Sequence, residues 1–316
     1  MRYQDMQSVA TGRRIGRSEL LVVPLCLGGN VFGWTVDEAQ SFAILDAFVA
    51  AGGNFIDTAD MYSTWVSGNQ GGESETIIGR WMALRGNRNK LIIATKVGQP
   101  MPGGGGLGAA WITRAVEDSL RRLQTDYIDL YQAHIDDQST PLEETLLAFD
   151  RLIQQGKVRY IGASNYSGAR LREALQLSAR MGIARYECLQ PLYNAVERDF
   201  ERDQRPVCLE YEIGVIPYFA LAAGFLTGKY RRGEALPNTP RAAGVQKRYF
   251  NDHAFAVLDK VEQLARECNA TPAQVALAWL MHQPTVTAPI ASATSVAQVE
   301  EIMGALQLKL PDGAEL

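Results

Sequence analysis

Alternation constrains this chain more than any other feature. Short apolar runs recur between segments with helical spacing, and the pattern continues along the sequence with no linker between units. The predicted pairs are a strand at 24–29 with a helix at 37–51, then 54–57 with 73–84, 91–96 with 111–123, and 127–134 with 142–155. Next come 158–163 with 167–179, 186–190 with 198–210, and 215–219 followed by two helices, 254–268 and 272–282. Thr271-Pro272 caps the second of these. The last pair is 286–290 with 295–305. Eight strand–helix units in one chain of 316 residues predict an α/β fold, a (β/α)8 barrel forming a single domain over 1–316. Two runs at 13–23 flanking Gly16-Arg17-Ser18 predict an N-terminal β-hairpin that plugs the barrel floor, after a polar, loosely held stretch at 1–12.

Composition narrows the partners. A net charge of -4 argues against nucleic acid and anionic membrane, both of which call for a basic face. Cys26, Cys188, Cys208 and Cys268 are scattered with no CxxC pair, so they read as core thiols in a reducing compartment, with no metal site. No run approaches a membrane span, and no charged start precedes an apolar stretch, so cytoplasm is the expected location.

Three connections are longer than ordinary βα loops: 62–72, 97–110 and 222–251. All follow strands, on the face where barrels assemble their sites. The run Gly103-Gly104-Gly105-Gly106 lacks a following Lys-Ser/Thr and is expected to be a flexible rim, not a phosphate cradle. On that same face the second strand delivers Asp57 and, five residues on, Tyr62; the third ends at Lys96 and the fourth at His134. An acid, a phenol, an amine and an imidazole at successive strand ends predict one site.

The sequence resembles the aldo-keto reductase superfamily. The resemblance is carried by Phe55-Ile56-Asp57-Thr58-Ala59-Asp60-Met61-Tyr62, Gly72-Glu73-Ser74-Glu75, Ala94-Thr95-Lys96, the run from Asp126 to His134, the run from Gly156 to Asn165, and Gln190-Pro191-Leu192-Tyr193-Asn194. It implies an NAD(P)H-dependent oxidoreductase that reduces aldehydes or ketones, with Asp57, Tyr62, Lys96 and His134 as the catalytic four. Chemistry agrees. Hydride addition to a carbonyl leaves an alkoxide that needs a proton, Tyr62 is placed to give it, and an adjacent Lys96 is expected to make the phenol more acidic while Asp57 keeps that lysine charged. His134 would orient the carbonyl oxygen.

The same resemblance implies that Ser164, Asn165 and Gln190 hold a nicotinamide carboxamide and that Tyr218 stacks on its ring, with Gly29 and Asp57 also against the cofactor. It assigns Phe219, Ala220, Leu221, Gly224, Leu226 and Lys229 to a pyrophosphate loop that runs into a cofactor-covering loop at 222–251. The basic residues Arg231, Arg232, Arg241, Lys247 and Arg248 belong either to that cover or to solvated surface. Ser292, Thr294, Ser295, Gln298 and Glu301 fall where relatives hold the adenosine end, but Thr294 and Gln298 replace arginines and Ile302 replaces an asparagine. NADP(H) is favoured over NAD(H) on hydrogen-bond donors and a helix N-terminus alone. Val31, Phe32, Trp34, Tyr62, Thr64, Trp65 and His134 are expected to line the substrate mouth, for a small-molecule carbonyl or alcohol; oligomeric state stays open. Two other readings remain: Lys96 as a Schiff-base nucleophile, and a cofactor-sensing regulatory subunit with slow turnover.

Overall fold

The computed structural model describes residues 12–311 and 313–316, so of the polar stretch at 1–12 all but Gly12 lies outside the described residues. Ten strands are present among the described residues. A short antiparallel hairpin, β1 (Arg13–Arg14) and β2 (Leu21–Val22), precedes the parallel strands β3 (Cys26–Gly28), β4 (Phe55–Asp57), β5 (Ile92–Val97), β6 (Ile128–Ala133), β7 (Val158–Ser164), β8 (Tyr186–Gln190), β9 (Gly214–Val215) and β10 (Ile290–Ala291). The sheet runs β10-β3-β4-β5-β6-β7-β8-β9, each neighbour parallel. A parallel bridge between Val215 and Val286, with Thr287 N–H donating to the Val215 carbonyl at 2.7 Å, closes the ring. It is the predicted (β/α)8 barrel.

Period-two alternation decides what faces inward. Cys26, Phe55, Ile92, Ala94, Leu130, Cys188 and Ile290 point into the barrel, and Ile15, Leu20 and Val22 of the hairpin pack among them as one apolar floor. The hairpin is therefore a plug, tied to the ring by the Arg13 guanidinium, which donates to the Met281 and Val286 carbonyls at 2.7 and 2.9 Å. Gly16 permits the close seating, since a Cβ there would lie 2.3 Å from the Glu187 carbonyl oxygen. Two residues above this floor on the same parity stand Asp57, Lys96, Gln132 and Gln190, all buried. The apolar floor thus supports a polar layer at the carboxyl ends of the strands.

Helices cover the outside: α1 (Glu38–Ala50), α2 (Glu73–Arg85), α3 (Ala109–Leu123), α4 (Leu142–Gln154), α5 (Gly168–Met181), α6 (Phe200–Asp203), α7 (Arg205–Tyr211), α8 (Ala242–Tyr249), α9 (Asp252–Glu267), α10 (Pro272–Met281) and α11 (Val296–Gly304). The Thr271 side chain and Gln274 form a reciprocal cap at the start of α10. No described helix is long and apolar enough to cross a membrane.

Four expectations need correction. The helix expected at 198–210 is two, broken at Gln204, because Pro206 has no N–H to continue the ladder. The last two strands are shorter than expected, and Tyr218 lies beyond β9, in a single bridge to Leu192. The segment 222–251 is not all loop: α8 buries Ala242, Val245 and Tyr249, a helical spacing visible in the sequence. The glycine run is not a free rim. Met101 and Gly104 exchange backbone hydrogen bonds, and Asp137 accepts from Leu107 N–H at 2.7 Å.

One buried acid stands apart behind the strands. Thr95 points outward to Glu75, whose other oxygen accepts from Arg122, and Asp60 lies in the same region with neither carboxyl oxygen hydrogen-bonded. Burial, then the Glu75 charge, push its pKa up to about 8 against the pull of Arg122. Between the ordinary 3.8 and about 8 the folded chain therefore holds a proton that the unfolded chain has lost, so stability falls as pH rises through that window. The slope has a ceiling of about 1.4 kcal/mol per pH unit. Asp60→Asn, uncharged throughout, is expected to flatten that slope in denaturant titrations run between roughly pH 5 and 9; parallel slopes for the two proteins would refute the assignment.

Candidate functional site

Asp57 ends β4, Lys96 is the fifth residue of β5, and His134 follows β6 directly. The loop after β4 brings Tyr62 back over them. Lys96 Nζ lies 2.6 Å from Asp57 Oδ2, 2.7 Å from the Thr58 carbonyl and 2.8 Å from the Tyr62 hydroxyl. An ammonium has three donors, and these contacts use them all. Tyr62 therefore accepts from Lys96, which leaves its own O–H free for the cavity that Tyr62 lines.

The electrostatics follow from burial. Desolvation alone would strip the Lys96 proton, but the Asp57 charge and the Tyr62 oxygen outweigh it, and the lysine pKa rises. Tyr62 moves opposite to expectation: burial pushes it up to about 12, the Lys96 charge only partly offsetting this. The phenol is thus held protonated at neutral pH. Burial, then the Lys96 charge, drive His134 well below the usual imidazole range, so its ring is neutral. Its Nδ1 is buried and has no partner among the described residues.

The next strands extend the polar layer. Gln190 Nε2 donates to Asp57 Oδ1 at 3.0 Å and to Gln132 Oε1 at 3.1 Å. Ser164 donates to the Gln190 carbonyl at 2.8 Å; Asn165 donates to the His134 carbonyl at 2.9 Å and accepts from the Tyr218 hydroxyl at 3.0 Å. Ser164, Asn165, Gln190 and Tyr218 all border one cavity of about 820 Å³ together with Asp57, Tyr62 and His134.

That cavity continues past Phe219, Ala220, Leu221 and Gly224 to Lys229, then to Ser292, Thr294, Gln298 and Glu301. The turn at its middle is strained, with Phe219, Ala222 and Ala223 at φ of 54°, 49° and 56°. At the mouth stand Val31 and the exposed Trp65, with Trp65 edge-on to both Tyr62 and Trp34. Several expected contacts fall outside the wall. Lys96 is sealed behind Tyr62. Gly29 faces Ser74, Phe32 and Leu226 are in the apolar core, Trp34 and Thr64 support Trp65 and the loop, and Ser295 caps α11 through its Oγ. The Ser292 hydroxyl is spent on Asn30 at 2.6 Å.

Other wall residues were not singled out as contacts from the sequence. Gly28, Asn30 and the 238–241 stretch border the cavity, and Arg241 is the most informative. One of its guanidinium nitrogens is buried without a partner, no acid pairs with it among the described residues, and burial lowers its pKa. Lys229 is lowered too, first by burial and then by Arg241. Two cations with no salt-bridge partner among the described residues thus line one cavity. Only the abundance of arginine around 231–248 hinted at this in the sequence.

Comparison with known proteins places the chain among relatives. A profile described as the Aldo/keto reductase family matches residues 24–314. "Uncharacterized oxidoreductase YrpG" of Bacillus subtilis is 36% identical over 94% of this chain and 91% of its own length. "Norsolorinic acid reductase A" of Aspergillus parasiticus is 32% identical over 92% of this chain and 75% of its own. "Probable voltage-gated potassium channel subunit beta" of Arabidopsis thaliana is 32% identical over 94% and 91%. A match that spans the whole barrel, together with relatives at this identity, establishes that the chain belongs to the aldo/keto reductase family.

Proposed function

We propose that this oxidoreductase reduces aldehydes or ketones to alcohols with hydride from NADPH, Tyr62 giving the proton. The observation that carries the reading is the saturated lysine: Lys96 spends its donors on Asp57, Thr58 and Tyr62, so among these three side chains and the Thr58 carbonyl the uncommitted proton is that of the phenol. It sits beside the neutral ring of His134, with ring centroids 6.1 Å apart.

The residues present fit a nicotinamide dinucleotide. The cavity is long, apolar where Phe219, Ala220 and Leu221 line it, and supplied with cations by Lys229 and Arg241 for phosphate. When bound, that cofactor supplies the hydride. The chain does the rest. Asn165 and Tyr218 are fixed by each other and by the His134 carbonyl, giving one rigid wall near the catalytic tyrosine. As negative charge develops on the carbonyl oxygen, Tyr62 releases its proton to it, and the phenolate left behind lies 2.8 Å from the Lys96 ammonium. A proton from solvent then restores the phenol. The high pKa of Tyr62 is compatible with this, because the accepting alkoxide is a far stronger base than phenolate.

A Schiff-base role for Lys96 is disfavoured, since its amine is buried, charged and fully donated. The regulatory reading draws support from the channel-subunit name of one relative, and turnover separates it. Brisk reduction of small aldehydes by the purified chain excludes it.

Tyr62→Phe is expected to bind NADPH as the parent does and to lose roughly 10²–10⁴-fold in carbonyl turnover, the usual worth of a positioned acid. Turnover unchanged within experimental error would overturn the proton-donor role. Arg241→Met is expected to weaken NADPH binding, followed by fluorescence titration, by about tenfold. An equal loss for NADH assigns the arginine to the phosphates both nucleotides share, and no loss for either removes it from the cofactor site. Tighter binding of NADH than NADPH by the parent would reverse the cofactor preference.

A further inference from the structure

Gln132 is the one member of the polar layer with no place in the expected catalytic or cofactor sets. It pairs in register with Lys96 on one side and Gly162 on the other, and its side chain is buried inside the barrel. Its Nε2 donates to Asp57 Oδ1 at 3.1 Å, and its Oε1 accepts from Gln190 at 3.1 Å. Gly162 leaves room for its stem, since a Cβ there would stand 3.2 Å from Gln132 Cγ and 3.1 Å from the Cys188 carbonyl.

These contacts have only one consistent polarity. A carboxylate only accepts, so each amide must turn its NH₂ toward Asp57. Gln190 then spends its NH₂ on Asp57 and on Gln132, and its carbonyl oxygen is the end left for the cavity it lines. Without the Gln132 oxygen, nothing but Asp57 would fix that orientation.

We propose that Gln132 is a positioning residue, which aims Asp57 Oδ2 at Lys96 and locks Gln190 with its carbonyl oxygen toward the cavity, so that this spot accepts only a ligand N–H donor such as a primary carboxamide. The proposal rests on the part of the reductase reading that places a nicotinamide dinucleotide in the cavity. Gln132 touches neither cavity nor Tyr62 and acts through its two neighbours.

The test compares Gln132→Leu and Gln132→Glu with the parent, after circular dichroism has shown that each variant folds. Two readouts are taken: NADPH affinity by fluorescence titration, and kcat for an aldehyde across roughly pH 5.5 to 8.5. Gln132→Leu is expected to weaken NADPH and lower kcat, each by about tenfold or more, the scale of losing a hydrogen bond to a charged group. Gln132→Glu carries the sharper signature. Protonated, the introduced carboxyl can donate to Asp57 and accept from Gln190 as the amide does; ionised, it faces Asp57 as a second negative charge. The titratable groups around it are Asp57 from β4, Lys96 from β5 and Cys188 from β8, with Tyr62 beyond the lysine. Its activity relative to the parent should therefore recover as pH falls. A filler of space predicts instead that Gln132→Leu, which fills similar room, keeps both readouts near the parent.

If both variants fold and keep affinity and kcat within about twofold of the parent, or if Gln132→Glu is impaired equally at every pH, the positioning role is wrong while the reductase reading stands. A parent that binds neither nucleotide overturns the reductase reading and this inference with it. A parent that binds NADPH but turns over no carbonyl substrate overturns only the reductase reading, and the affinity arm then decides on Gln132.

Discussion

The site depends on a buried ion pair. Lys96 and Asp57 sit 2.6 Å apart with almost no solvent exposure, inside a barrel whose floor is hydrocarbon and thiol. Taking two such charges out of water costs several kcal/mol per ion, and their attraction offsets this only where the remaining donors and acceptors are also satisfied. Here they are. The ammonium finds the Thr58 carbonyl and the Tyr62 hydroxyl, and the second carboxylate oxygen finds the amides of Gln132 and Gln190. Removing one charge would strand the other, typically at about 3–5 kcal/mol, so the geometry of the phenol is secured by groups that cannot be separately discarded.

Strand parity makes that arrangement possible. Phe55 and Asp57, Ile92 and Lys96, Leu130 and Gln132, Cys188 and Gln190 each share one face of a strand, the lower member apolar and the upper polar. Asp57, Lys96 and His134 at the strand ends were readable from the sequence. Gln132 was not, because its partners lie 75 and 58 positions away and the meaning of an amide depends on which acceptors it meets. The Tyr62 pKa was misjudged for a related reason. A neighbouring ammonium is visible in a motif, but the extent of burial is a property of the closed barrel, and burial is the larger effect.

The far half of the cavity was harder to read. Breaks such as Gln204, where Pro206 interrupts a helix, shift boundaries without moving the site. Segment 222–251 differs: it carries Lys229 and Arg241 to the cavity although both lie outside the barrel strands. Nothing in the spacing of Arg231, Arg232 and Arg241 indicates which of them turns inward. In the structure Arg231 and Arg232 are answered by Glu262 and Asp252, whereas Arg241 meets no carboxylate among the described residues and lies over the Trp34 ring.

That segment is held at both ends. Phe225, Tyr230, Tyr249, Phe250 and Phe255 pack ring against ring at its base, and Glu197 accepts from Arg248 and Tyr249, both at 2.6 Å, as well as from Asn194 at 3.0 Å. Asn194 in turn donates to the Phe219 carbonyl, so the same polar knot also grips the strained turn in the cavity wall. The cations therefore belong to a segment anchored at two points, while the acid, phenol, amine and imidazole belong to the barrel. Chemistry demands a layer that does not move. Opening the polar layer would expose a buried ion pair, so the fold holds that layer closed.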